Sequence, residues 1–115
     1  MYQSKGFFKE ITQEYFKIAG GIGFDLGISI TTTSDCCALI TGYIIDNPIT
    51  DFEGNMVTGY SEEDIFVAKL ESTGQQEYFK IAGGFDEDVG FSISYSPNDD
   101  SILVTGNVST TANLS

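Results

Sequence analysis

The phrase QEYFKIAGG occupies Gln13–Gly21, and the same nine residues return unchanged at Gln76–Gly84. The two copies start 63 residues apart, and their flanks stay in register. Asp25 matches Asp88, Gly27 matches Gly90, and Ser29-Ile30 matches Ser92-Ile93. After one inserted residue, Leu39-Ile40-Thr41-Gly42 matches Leu103-Val104-Thr105-Gly106. Self-similarity at a fixed period marks a repeat architecture, in which each unit buries its apolar face against the next. The period exceeds the roughly 40–50 residues of common propeller repeats. The excess falls in one loop, Asp46–Ser61, rich in Asp, Asn, Gly and Pro.

Within one period the pattern is that of strands. Leu26–Thr31 and Val89–Tyr95 alternate apolar and small or polar residues, the period-two signature of a strand with one apolar face. Short turns follow at Ser34–Cys37 and Pro97–Asp100, then strands at Ala38–Ile45 and Ile102–Val108. A second hairpin is predicted from Ile65–Leu70, a turn at Glu71–Gly74 and a strand at Glu77–Ala82. Gly74 supplies a residue free to take positive φ. The closing Gly-Gly pairs at 20–21 and 83–84 mark abrupt changes of direction. Four antiparallel strands per period is the unit of a β-propeller blade.

The order of these elements resembles the bacterial-type β-propeller repeat family. The carrying residues are Phe-Lys-Ile-Ala-Gly-Gly, then Asp25-x-Gly27-x-Ser29-Ile30, Ile40-Thr41-Gly42-Tyr43, Asp51-Phe52, Asp64-Ile-Phe-Val-Ala-Lys-Leu70 and Ser72-Thr-Gly74. The resemblance spans Gln13 to Val108. It implies several blades, usually in secreted or surface proteins, with no single shared activity. Tyr15 and Tyr78 stand where the family usually has Trp, and Asp35-Cys36-Cys37 and Asn98-Asp99-Asp100 stand where it usually has an Asp-Gly turn.

In blade order the chain divides into a half-blade over residues 1–21, a complete blade over 22–84 and a second half-blade over 85–115. In the first half, Gly6–Ile11 and Glu14–Ala19 are expected to be its third and fourth strands. Such a chain leaves sheet faces uncovered. Two arrangements cover them: further blades in a longer protein, or a ring of copies in which one subunit's C-terminal half-blade is completed by the next subunit's N-terminal half. The first is the expectation adopted from the sequence.

Composition narrows the chemistry. Seventeen acids against five lysines give a formal charge of −12, a field that repels nucleic acid and anionic lipid heads. No apolar run approaches the roughly 18–20 residues of a membrane span. The N-terminus carries no sustained apolar core of the signal-peptide kind. As a piece of a longer exported protein, the chain is expected outside the cell or on its surface. Histidine and arginine are absent, so no Ser-His or Cys-His pair and no His metal site exist in this chain. The acids cluster on turns, at Asp86-Glu87-Asp88 and Asn98-Asp99-Asp100. Turn acids are ordinarily solvated or cap N–H groups. Calcium is the one cofactor they suggest, although no complete Asp-x-Asp-x-Asp-Gly loop with a closing Glu is present. Cys36-Cys37 read as two reduced cysteines, with a vicinal disulfide as the alternative. Two Asn-x-Ser triplets occur, at Asn107 and Asn113.

The expectation is thus an all-β, non-enzymatic scaffold or binding module with no catalytic, cofactor or metal residues. The alternatives are a lectin-like ring, with Tyr43, Phe52 and Tyr60 as exposed aromatics, and a fragment of a propeller hydrolase whose acids lie on other blades. The Asp46–Ser61 loop is the favoured contact segment, for a protein or glycan ligand.

Overall fold

The computed structural model describes residues 15–21, 23, 25–45, 48–60, 63–84, 88–107 and 113–114. Nine strands and no helix are found among them: β1 (Asp25–Thr32), β2 (Ala38–Ile45), β3 (Ile49–Thr50), β4 (Met56–Val57), β5 (Glu63–Leu70), β6 (Gln76–Gly83), β7 (Val89–Ser96), β8 (Ser101–Asn107) and β9 (Asn113–Leu114). The main sheet runs β1-β2-β5-β6-β9, with every pairing antiparallel. Its first four strands are those expected from the sequence. The short β9 adds a fifth strand at Ala82 and Gly83, which the sequence did not lead us to expect. β7 and β8 form a separate two-stranded sheet. The sheets among the described residues are open and do not close into a ring.

The two hairpins β1–β2 and β7–β8 are copies in detail. Both carry a register shift at the same place, between Gly27 and Ser29 and between Gly90 and Ser92. Opposite each shift stands a glycine that a side chain would drive into backbone: a Cβ at Gly42 would overlap the Leu26 carbonyl oxygen, and one at Gly106 the Val89 carbonyl oxygen. The bulge therefore requires a glycine across from it.

Three turns share one design. Thr33 N–H donates to Cys37 O, Asp51 N–H to Asn55 O, and Glu71 N–H to Gln75 O, at 2.8–3.0 Å. In each the fourth residue has positive φ: Cys36 at 67°, Gly54 at 82° and Gly74 at 91°. This is the three-residue hairpin loop, a type I turn closed by a left-handed residue. Cys36 thus adopts the conformation for which glycine is suited, and Asp100 does so at the β7–β8 turn with φ 56°. The Thr33 hydroxyl holds the Cys36 turn together, accepting from Cys37 N–H at 3.0 Å and donating to Asp35.

The core lies between the main sheet and the 48–60 segment. Ile44, Phe66, Ala68 and Ile81 from one sheet face meet Ile49 of the segment, with Ile40, Phe52, Val57 and Phe79 around them. Phe66 and Phe79 stack at 5.6 Å, and Phe52 meets Phe79 edge-on at 6.0 Å, both favoured aromatic geometries. The opposite face of the main sheet receives β7. A Cβ at Gly90 would strike Thr41 Oγ1 and come within 3.0–3.1 Å of Ile65 Cγ2 and the Gly42 carbonyl oxygen. Ser29 Oγ accepts from Ile93 N–H at 3.3 Å across the same junction.

One expectation needs correction. Residues 15–19 repeat the β6 sequence but form no strand. The ladder contact next to them among the described residues is at Gly20, which exchanges hydrogen bonds with Thr50 at 2.9 and 2.7 Å. The same five residues pair with β5 when they occur in β6, so pairing, and not sequence alone, makes the strand. The strand expected at Gly6–Ile11 lies outside the described residues, as does Glu14.

Two outcomes follow. Gly42→Ala lowers stability by about 2–3 kcal/mol in urea unfolding, because the overlap is with rigid backbone. Cys36→Gly raises it by about 0.5–1 kcal/mol, since it relieves a left-handed residue at some cost in chain entropy.

Candidate functional site

Carboxylates are the abundant functional groups, and the structure puts the buried ones to local use. Asp25 and Asp88 occupy equivalent repeat positions and do the same task. Asp25 Oδ2 accepts from Gly21 N–H at 3.0 Å, and Asp88 Oδ2 accepts from Gly84 N–H at 2.8 Å. Each thereby holds the Gly-Gly turn that closes its copy of the repeated phrase. Asp88 is fully buried, whereas Asp25 is exposed. Asp64, also fully buried, accepts from Tyr60 N–H at 2.9 Å. A Cβ at Gly83 would lie 2.6 Å from oxygens of both Asp64 and Asp88. These two acids thus flank one glycine, but both are enclosed and both are engaged with the chain.

Asp51 organises the inserted segment. Its Oδ1 accepts from Glu53 N–H and Asn55 N–H at 2.9 Å, and its Oδ2 accepts from Gln76 Nε2 at 3.0 Å and Asn55 Nδ2 at 3.3 Å. Burial pushes this carboxyl up, but the hydrogen bonds from Gln76, Asn55 and Glu53 outweigh it and hold it below the usual carboxylate range. The segment expected as a loop contains the β3–β4 hairpin, folded onto the core through Ile49. Met56 is its most exposed large apolar residue. The sequence signal was Asp51-x-x-Gly54-Asn55, the acceptor and left-handed glycine of a tight hairpin turn.

The remaining predicted groups are dispersed. Cys36 is exposed, Cys37 is buried, and both are free. Tyr43 lies between Leu26 and Ile65 in the sheet, Phe52 packs on Phe79, and Tyr60 is partly exposed. These three aromatics form no common platform. Asp99 takes the Ser101 hydroxyl at 2.7 Å and Asp100 the Tyr95 hydroxyl at 2.6 Å. Asp86 and Glu87 lie outside the described residues. Among the described residues no three His, Cys, Asp or Glu side chains gather where a metal ion would be held.

A cleft of about 700 Å³ lies between the two sheets. Val67, Tyr78 and Ala82 line one wall, and Ile102 and Val104 the other. It opens beside β8, where the second sheet stops after two strands while the first continues to β5 and β6. No family model matches the chain, and neither a curated protein nor a solved structure matches it.

Asp51→Asn or Asp51→Ala is expected to cost about 2–3 kcal/mol at neutral pH, by leaving buried donors without their charged acceptor. Because the folded carboxyl titrates below its unfolded value, its stabilisation is present above about pH 4 and is lost as pH falls further. Urea midpoints of the wild type and Asp51→Asn therefore differ at pH 7 and converge at low pH.

Proposed function

We propose that this chain is a non-enzymatic β-propeller repeat segment that serves as a scaffold or binding module in a larger surface or secreted assembly. The observation that carries the reading is the seat of β7 on β2. A second hairpin with the same bulge and the same glycines as the first is laid face to face on the first sheet, through Gly90 against Thr41. Consecutive four-stranded sheets stacked in this way are how propeller blades bury their faces. On this reading β1, β2, β5 and β6 are the four strands of one blade, and β7 and β8 begin the next.

The acids support a structural role over a catalytic one. Asp25, Asp51, Asp64 and Asp88 each accept backbone N–H groups of turns, and paired glycosidase acids need instead to face a substrate cleft. Ligand contacts on a propeller would fall at the loop-bearing end or the axis of the completed ring. Within this chain the inserted β3–β4 hairpin offers the exposed Met56.

The stacking is tested at Gly90. Its φ lies outside the left-handed region, so space, not backbone freedom, demands the glycine. Gly90→Leu should lower the stability of the β7–β8 hairpin by about 2–3 kcal/mol. In hydrogen exchange, β7 and β8 amides should lose protection before those of β2 and β5. Unchanged stability and unchanged exchange would reject face-to-face stacking.

A further inference from the structure

Each surface that meets at the internal junction has a counterpart elsewhere in the repeat, and both counterparts are bare. On the β7 side, Gly90 is buried and Ile93 is 5% exposed; the matching Gly27 has nothing within 4 Å of a Cβ, and Ile30 is 66% exposed. On the β2 side, Leu39 and Thr41 are fully buried; the matching Leu103 is 66% exposed and Thr105 is exposed. The chain therefore presents the β7-type surface at its β1 end and the β2-type surface at its β8 end. The junction inside the molecule shows that these two surfaces fit.

A third feature falls at the same place. Residues 15–19 keep the alternation of β6 without its pairing. Tyr15 lies against Gly74, Lys17 reaches Glu53 at 3.7 Å, and Ala19 lines a small pocket on this chain's own sheet. Phe16 and Ile18 are 73% and 74% exposed, and Ile18 borders that same pocket. The 700 Å³ cleft lies where the missing outer strands of the β7–β8 sheet would run, and its walls are mainly apolar.

We infer that a second copy of this chain docks head to tail on the first. Its β1 face (Gly27, Ile30) covers the Leu103 and Thr105 face of β8, and its Phe16 and Ile18 enter the cleft against Val67 and Tyr78. The composite layer then consists of β7 and β8 of one copy and residues 15–19 of the other. Ser92 is placed to accept the Ile30 N–H of the second copy, as Ser29 accepts that of Ile93 within one chain. The contact is heterologous, so it closes a ring or extends a chain of copies. This inference rests on the blade reading above. Like-charged copies repel, each carrying −12, so salt that shortens the Debye length to about 3 Å at 1 M strengthens the association.

Light scattering on the full 115-residue chain tests it. The expected mass exceeds the 12.5 kDa of one chain and rises with protein concentration and with salt. Gly27→Leu and Leu103→Glu alter opposite ends at positions exposed in the single chain. Each alone should be monomeric, with the wild-type circular dichroism spectrum. Mixed, they should form a dimer and nothing larger, because the first retains its β8 face and the second its β1 face. A wild type that stays at the single-chain mass throughout, variants that associate like the wild type, or a mixture that stays monomeric would overturn the proposal. If Gly90→Leu destabilises the hairpin while association fails, the docking of copies falls and the stacking reading stands. A silent Gly90→Leu removes the stacking reading itself.

Discussion

Gly90 meets Thr41 and Gly42 with no space for a side chain between them, and much of the described molecule is arranged around that contact. It lets the β7 backbone approach the main sheet closely enough for Ile93 to be buried and for its N–H to reach Ser29. Thr41 can sit there because its hydroxyl is satisfied within its own sheet, donating to the Phe66 carbonyl at 2.9 Å. A threonine without that acceptor would bring an unsatisfied polar group to a dry junction, at a cost of about 1–3 kcal/mol. The sheet thus meets its neighbour with a surface whose polar groups are already paired. Each buried side-chain polar atom among the described residues has a partner.

The repeated phrase feeds this arrangement from both ends. Its closing Gly-Gly is held by Asp88, which fixes where the chain leaves β6 and enters β7. Its opening Gln76 holds the inserted hairpin, accepting from Phe52 N–H at 2.9 Å and donating to Asp51 at 3.0 Å. Gln76 N–H also donates to Glu53 at 2.7 Å. One nine-residue stretch therefore supplies a strand of the sheet, an anchor for the insertion and the turn to the next sheet. A conserved task for each residue does not follow from identity alone, as residues 15–19 show by remaining unpaired.

Much of the fold was legible because long strands advertise themselves. β1, β2, β5, β6, β7 and β8 have seven or eight residues each, enough for period-two alternation or a continuous apolar run to be read. β3, β4 and β9 have two residues each and carry no period. The state of residues 15–19 was not legible because a strand is defined by its partner. The glycines of the bulges were visible as a repeat, but their purpose depends on which carbonyl stands opposite. Asp25 and Asp88 were visible as a matched pair, whereas the work of Asp51 and Asp64 depends on turns brought to them from 2–4 residues away. The acidity itself distinguished none of these, since most of the acids look alike until the turns are in place.

The contact between Gly90 and Thr41 can be observed directly. In a nuclear Overhauser spectrum of the isotope-labelled chain, the Thr41 methyl protons should show a strong cross-peak to the Gly90 α-protons, and Ile93 should show one to Ser29. Those cross-peaks would establish the face-to-face seat on which the account depends. Their absence, with the β1–β2 and β7–β8 hairpin cross-peaks intact, would mean that the two sheets fold without stacking and would contradict it.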